Sequence, residues 1–489
     1  MSTAATQDRE RARRPIPVLL LSTYELGHQP FGLASPAAWL RAAGAEVTAV
    51  DLAVESFPEA SVKAAEVVAF YLPMHTATRM AVELIPRVRV LNPTAHLCAY
   101  GLYAPVNESL LRALGVDTVL GGEFEAPLSA LVSELSQSPP ALPHPPVRQT
   151  LPLISLDRQT FRQPDRAGLP PLTSYASLQL PDGTRRTVGY TEASRGCKHV
   201  CRHCPIVPVY GGRFRVVQRD VVDADVAALV ETGAEHITFG DPDFLNGPTH
   251  AAAIVTRLHE RFPALSYDVT IKVEHLVAHP QMMPLLRDTG CVLVTTAVES
   301  FDDTVLEVFD KRHTTKDLVV ALRTLREVGI AVNPTFVAFT PWTSRESYAD
   351  FLTAVCNLGL VESVAAVQYA IRLLVPAGSR LLDRTDMQEH LGTFDPEGLC
   401  YRWTHPDPLM DELQSAVFAV AEDAARVGWS RVEVFDRVRQ HAAQLLGGPE
   451  AEKLAALEPT ASTSVAVPYL TEPWFCCAEP VRSQLEPLL

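Results

Sequence analysis

No stretch of this 489-residue chain approaches the ~18–20 consecutive apolar residues of a membrane-spanning helix. The basic run Arg9 to Arg14 leads into only about six apolar residues, Ile16 to Leu21, too short for a signal-peptide core. Arg13-Arg14 therefore reads as part of a solvated tail rather than a twin-arginine signal. Positive charge is also in deficit. Lys and Arg number 42 against 57 Asp and Glu, a net charge of −15, which argues against a large nucleic-acid footprint. Cysteines are nine, odd in number and irregularly spaced, so they do not form a disulfide framework and instead fit a reducing cytoplasm. No G-x-G-x-x-G follows the first apolar run, so that block is not read as dinucleotide-binding.

What is present is a globular composition, 47% apolar and 20% charged, long enough for two or three domains. Residues 1–14 read as a disordered tail. From 15 to 136 buried-strand runs such as Val18 to Leu21, Glu46 to Val50, Val67 to Leu72 and His96 to Tyr100 alternate with helical stretches. That order predicts an open parallel α/β sheet, with its ligand crevice at the carboxyl ends of the strands. His28, in the loop after the first strand, would line that crevice. Residues 139–171 hold nine prolines, so 137–186 reads as an interdomain linker. Between 187 and 382 six strand-then-helix units are expected. Their strands fall at Val188 to Glu192, His236 to Phe239, Tyr267 to Val273, Val292 to Val298, Ala331 to Phe339 and Ala365 to Leu374. Residues 383–489 read as mostly helical, including Asp411 to Ala425 and Arg431 to Leu446.

One loop dominates the chemistry. Cys197, Cys201 and Cys204 are spaced C-x-x-x-C-x-x-C with no fourth cysteine nearby. Three thiolates hold three irons of a four-iron cluster and leave the fourth iron open to an outside ligand, whereas electron-transfer clusters use four cysteines. The competing reading is a zinc site completed by His199 or His203. The spacing resembles the radical S-adenosylmethionine (SAM) superfamily. In that family SAM chelates the open iron, and an electron from the cluster breaks a carbon–sulfur bond to give a carbon radical. The resemblance implies a partial (β/α)6 barrel, a 4Fe–4S cluster, SAM, a small-molecule substrate and a reductase such as flavodoxin or ferredoxin. From the net charge and the short apolar runs, no nucleic-acid or membrane partner is expected. His203 stands where the family places an aromatic residue near the cluster.

Strand ends of a parallel barrel carry reacting groups, and several here match the family's contacts. Phe239-Gly240-Asp241-Pro242-Asp243 resembles the segment that binds the SAM amino group, with Gly240 allowing close approach and Asp241 and Asp243 offering carboxylates. Lys272 and Glu274 either meet SAM or substrate or pair with each other. Glu299-Ser300 resembles a contact to the SAM ribose and carboxylate. Arg372 is placed to clamp a carboxylate bidentately, or else forms a surface salt bridge. The 15–136 block resembles the cobalamin-binding-like domain of one branch of the superfamily. Its D-x-H-x-x-G motif is absent, so the block either binds cobalamin without a protein imidazole or serves only as scaffold.

The end of the chain adds Pro473-Trp474-Phe475-Cys476-Cys477-Ala478-Glu479-Pro480. It resembles radical SAM proteins with a Cys-Cys-Ala-Glu-Pro tail, in which selenocysteine also occupies the second position. Cys476 and Cys477 are accordingly expected to take part in catalysis, as vicinal thiols that suit soft elements such as arsenic or sulfur. The expected function is reductive cleavage of SAM and use of the radical on a small molecule. The rivals are a cobalamin-dependent radical methyltransferase and a non-catalytic metal or metalloid binder.

Overall fold

The computed structural model describes residues 15–137, 151–458 and 467–472. The expected N-terminal tail, part of the proline-rich segment, and Cys476 and Cys477 lie outside these described residues.

The first sheet runs β1 (Pro17–Ser22), β2 (Glu46–Asp51), β3 (Val67–Tyr71), β4 (His96–Tyr100), β5 (Thr118–Gly122) and β6 (Ile154–Ser155). Its order is β2-β1-β3-β4-β5-β6, with all pairs parallel. Residues alternate across a strand, and here both faces are covered. Leu19, Leu21, Val68 and Phe70 enter one core while Val18, Leu20, Val67 and Ala69 enter the other. Two-sided burial explains why these strands read as unbroken apolar runs. The order in which strands are added reverses between β1 and β3, so the loops after these strands flank the switch-point crevice.

The second sheet contains β7 (Ser177–Gln179), β8 (Arg185–Thr191), β11 (His236–Phe239), β12 (Ser266–Thr270), β13 (Cys291–Glu299), β14 (Ala331–Phe336) and β17 (Tyr469–Leu470). A separate hairpin pairs β9 (Ser194–Gly196) with β10 (Phe214–Val216). The order β14-β13-β12-β11-β8-β7-β17 has a parallel run from β8 to β14, with β7 and β17 antiparallel at the edge. Helices such as Thr315–Val328 cover the outside. That helix starts at a Thr314/Asp317 capping box and ends at Gly329 in the left-handed conformation, so its limits follow from local sequence.

Three expected elements differ. The sixth barrel strand, read at Ala365 to Leu374, is a 3-10 turn at Ala366–Tyr369 and a single bridge between Phe339 and Arg372. The Gln368 side chain takes the ladder's place, its Oε1 accepting from the Phe336 amide at 2.7 Å. The third strand stops at Thr270, and Lys272 is the N-cap of helix Val273–Ala278. Lys272 and Glu274 therefore do not share a strand face. The region after 383 holds a hairpin of β15 (Leu391–Asp395) and β16 (Cys400–Trp403) before its helices Pro408–Val427 and Arg431–Leu446. Two strands of the expected linker are structural: β6 extends the first sheet and β7 the second. Among the described residues, no helix is long and apolar enough to cross a membrane.

Candidate active site between the two sheets

The carboxyl ends of both sheets face one cavity of about 410 Å³. The first sheet contributes Glu25, His28, Tyr71 and Phe124. The barrel contributes Tyr190, Glu192, His203, Cys204, Gly240 and Glu299.

The cysteine loop leaves the β9–β10 hairpin through Gly196, whose φ is +73°. A Cβ there would collide with the Tyr210 ring and come 2.6 Å from the Arg213 carbonyl, so glycine is required on both counts. Cys197 and Cys201 are buried, while Cys204 is half-buried on the cavity wall. Burial raises the Cys197 thiol and pushes Cys204 up to about 12. Two buried ammonium groups oppose that trend. Lys272 Nζ lies 3.5 Å from Cys201 Sγ, and the charge of Lys311 acts on Cys201 and Cys204. Soft thiolates beside buried cations fit an anionic iron–sulfur cluster. Cys197, His199 and Asp243 also place one ligand atom each within 4.8 Å of one another. Asp243, however, is already engaged by His275 Nδ1 at 2.7 Å.

The segment after β11 clamps this loop. Asp241 Oδ2 accepts from the Ala193 amide at 2.8 Å and Oδ1 from Ser194 Oγ at 2.5 Å. Burial raises its carboxyl to about 7 despite these bonds. Asn246 accepts from the Lys198 amide at 3.2 Å and donates to the Gly196 carbonyl at 3.4 Å. Asp243 is fully buried. Burial opposes its charge, yet hydrogen bonds from His199 and His275 hold it down to about 2. Both carboxylates expected to meet a ligand are thus turned into the protein, where they position the loop. Gly240 does line the cavity. A Cβ there would overlap the Tyr190 hydroxyl, and overpacking of this kind costs about 1–3 kcal/mol. Gly240→Ala is therefore expected to lower the melting temperature and weaken SAM binding, as read by a thermal melt and equilibrium dialysis.

Glu299 has a φ of +70°, unusual for a residue with a side chain, at the register shift between β13 and β14. Such outliers cluster at functional sites. Burial opposes its charge, but Lys311 Nζ at 3.1 Å and His203 Nε2 at 3.2 Å hold the carboxyl well below the usual range. Burial keeps His203 neutral, and its Nδ1 is buried with no hydrogen-bond partner. Ser300 accepts from the Asp302 amide at 3.0 Å and starts the next turn. Arg372 touches the cavity wall, but its charge is spent elsewhere. It reaches Asp411 at 2.5 Å and the Trp403 carbonyl at 2.7 Å, and stacks 3.5 Å over the Trp403 ring. The salt-bridge alternative describes it better than a free carboxylate clamp.

Sequence reading missed the network that joins the sheets. Arg195 meets Glu192 at 2.5 Å, Glu125 at 2.7 Å and Glu123 at 3.7 Å, all buried or nearly so. Phe31, Phe124 and Phe161 enclose its guanidinium. Burial raises Glu123 to about 7, while in Glu125 the same burial is overcome by Arg195 and the carboxyl is lowered. Asp51, fully buried, is also raised by burial to about 7.

These raised groups fix a pH dependence. In Asp51, Glu123 and Asp241 the folded chain keeps protons that the unfolded chain releases, so stability falls as pH rises through 7. The metal-free protein is expected to melt higher at pH 6 than at pH 8, by on the order of 1 kcal/mol per group. Asp243 does not contribute in that window, since its depressed carboxyl is ionised throughout it.

Residues 191–353 match the sequence pattern of the Radical SAM superfamily. This chain carries a radical SAM domain. The tRNA-2-methylthio-N(6)-dimethylallyladenosine synthase of Shewanella baltica is 24% identical over 257 residues, covering 49% of this chain and 53% of that protein. The hopanoid C-3 methylase of Methylococcus capsulatus is 24% identical over 354 residues, 68% of this chain and 65% of that one. The chain thus spans about half the length of the first of these relatives and about two thirds of the second. Among solved structures, the cobalamin-dependent radical SAM enzyme OxsB with aqua-cobalamin superposes with a TM-score of 0.62 at 12% identity, over 88% of this chain and 72% of that one. The radical SAM methyltransferase TsrM from Kitasatospora setae gives 0.64 at 15% identity, over 87% and 100%. Both share the fold. The radical SAM domain implies a 4Fe–4S cluster and SAM, and the cysteine loop with its two lysines suits the former.

Proposed function

We propose that this protein is a radical SAM enzyme that reductively cleaves SAM and directs the carbon radical onto a small molecule held between the two sheets. One observation carries this reading. Cys204, the glycine strand end at Gly240 and the strained Glu299 line a single cavity. Cys197, Cys201 and Cys204 would hold the cluster, which when reduced would supply the electron for splitting a carbon–sulfur bond of SAM. Around it, Lys272 and Lys311 balance thiolate charge, and Gly240 allows close backbone approach. Glu299 stays ionised and accepts from ligand hydroxyls, while His203 offers Nδ1 as an acceptor. The covering first sheet excludes water from the radical.

Cys476 and Cys477 are assigned a supporting role in forming a carbon–heteroatom bond. The described chain reaches Glu472, four residues before Cys476, where a Cβ on Gly27 would lie 2.9 Å from the Glu472 carboxylate. Gly27 sits between Leu26 and His28 of the cavity wall, and four residues reach at most about 14 Å. Changing both thiols to Ser while leaving turnover and metalloid binding untouched would refute this role.

A second reading, a cobalamin-dependent radical methyltransferase, draws on the fold shared with OxsB and TsrM. The tilted rings of Tyr71, Tyr100 and Phe124 cluster at the carboxyl end of the first sheet, with centroids 5.4, 5.0 and 6.0 Å apart. The Tyr71 ring also lies over Gly32. Corrinoid absorbance in protein from cobalamin-fed cells would favour the second reading. Mass spectrometry of SAM products after anaerobic reconstitution and dithionite reduction tests the first, with 5′-deoxyadenosine the expected product. No SAM-derived product from iron-loaded protein would overturn it.

A further inference from the structure

The cavity wall contains a carboxyl group that the cluster and SAM do not explain. Glu25, in the loop after β1, is only 4% exposed, yet it lines the cavity and its Oε2 has no hydrogen-bond partner. The Gly32 amide and the Tyr71 hydroxyl act on this carboxyl, but they leave that oxygen unmatched. The groups acting most on Glu25 are the carboxyls of Glu192 and Asp51, and both raise it further. Glu192 is already committed to Arg195, which Glu125 and Glu123 share. Three carboxylates therefore compete for one guanidinium, and Glu25 is left without a countercharge from it.

The neighbouring surface suits a cation as well. His28 lies against Tyr190 with ring centroids 4.8 Å apart, and both line the cavity with Tyr71. Burial drives His28 down to about 4, so it is a neutral ring at pH 7. Neutral aromatic faces beside an unpaired carboxyl attract cations.

We propose that the substrate bears a cationic amine, and that Glu25 receives this nitrogen in the wall formed by Tyr71, Tyr190 and His28. The proposal rests on the radical SAM reading for the word substrate alone; the binding site itself stands on the cavity. Binding exchanges a proton for the ligand's charge. Burial and its acidic neighbours keep the Glu25 carboxyl raised well above the usual range. The empty site therefore holds a proton that an alkylammonium displaces.

The test uses full-length protein without SAM, titrated calorimetrically with n-butylammonium and with 1-butanol as its uncharged counterpart. Wild type is expected to prefer the amine by at least about tenfold. Amine binding should be accompanied by net proton release, read by repeating the titration in two buffers of different ionisation enthalpy. Glu25→Gln matches the shape of the protonated acid and is expected to reduce the preference to about twofold or less, with no proton release. Glu25→Asp keeps an acid and should retain a preference between the two. An amine preference unchanged in Glu25→Gln, or absent from wild type, overturns the proposal. SAM cleavage is measured separately, so loss of the amine site and failure of the radical SAM reading give different results.

Discussion

Cys204→Ser should yield protein that loads no cluster and cleaves no SAM, although the chain still folds. Iron after anaerobic reconstitution is expected to fall from roughly four atoms per chain to below about one. The nucleoside product of SAM should disappear. A seryl oxygen is a hard, weakly acidic donor that does not replace a thiolate toward iron–sulfur chemistry. Cys204 is also the half-buried thiol on the cavity wall, so the change removes the cluster at its exposed side without opening the core. Cys356→Ser is the control. Cys356 is half-buried, and its thiol donates to the Glu458 carbonyl at 3.6 Å, so iron and turnover should be retained. Iron retained in Cys204→Ser, or wild type holding about one zinc and no iron, would remove the basis for the radical SAM reading.

The cysteine loop was legible because its whole chemistry lies within eight residues, and spacing alone carries it. The first sheet's β1, β3 and β4 were legible for a related reason: two-sided burial writes a continuous apolar run into the local sequence. Helix limits followed from caps such as Thr314 with Asp317 and Ser430 with Glu433. What escaped is non-local. Arg195 and Glu125 are 70 positions apart, and no pattern in either segment announces their pairing. Glu25 likewise gains meaning only when the second sheet closes over the first. The misplacements have a shared cause. Asp241 and Asp243 follow the end of β11 and Arg372 falls in the expected sixth strand, positions where sequence suggests ligand contact. In the folded chain Asp241 turns to the Ser194 segment, Asp243 to His275, and Arg372 to Asp411. A charged residue at a strand end has two ways to be satisfied, and only the three-dimensional neighbours select between them. The sixth strand failed similarly, since one glutamine side chain replaced the backbone ladder.

Arg195→Met tests the junction between the sheets and should cost about 3–5 kcal/mol of stability, the range for removing one partner from a buried ionic group. Methionine preserves much of the side-chain volume between Phe31, Phe124 and Phe161, so packing is not the main loss. Glu123, Glu125 and Glu192 would remain in a poorly solvated region without their cation. Ser35 and Gln159 still donate to Glu125, at 2.7 and 2.9 Å, and Tyr210 to Glu123 at 3.1 Å. These neutral donors soften the loss but do not neutralise charge. The deficit is therefore expected to depend on pH. As pH falls from 8 to 6 the orphaned carboxyls take up protons in the folded variant more readily than in its unfolded chain, and the gap to wild type narrows. Arg195→Lys should fall between, because an ammonium keeps the charge but not the forked geometry that serves several carboxylates at once. Urea denaturation of metal-free protein measures all three. A loss below about 1 kcal/mol for Arg195→Met, the scale of an exposed ion pair, would mean that water reaches this junction and that the first sheet does not seal the cavity.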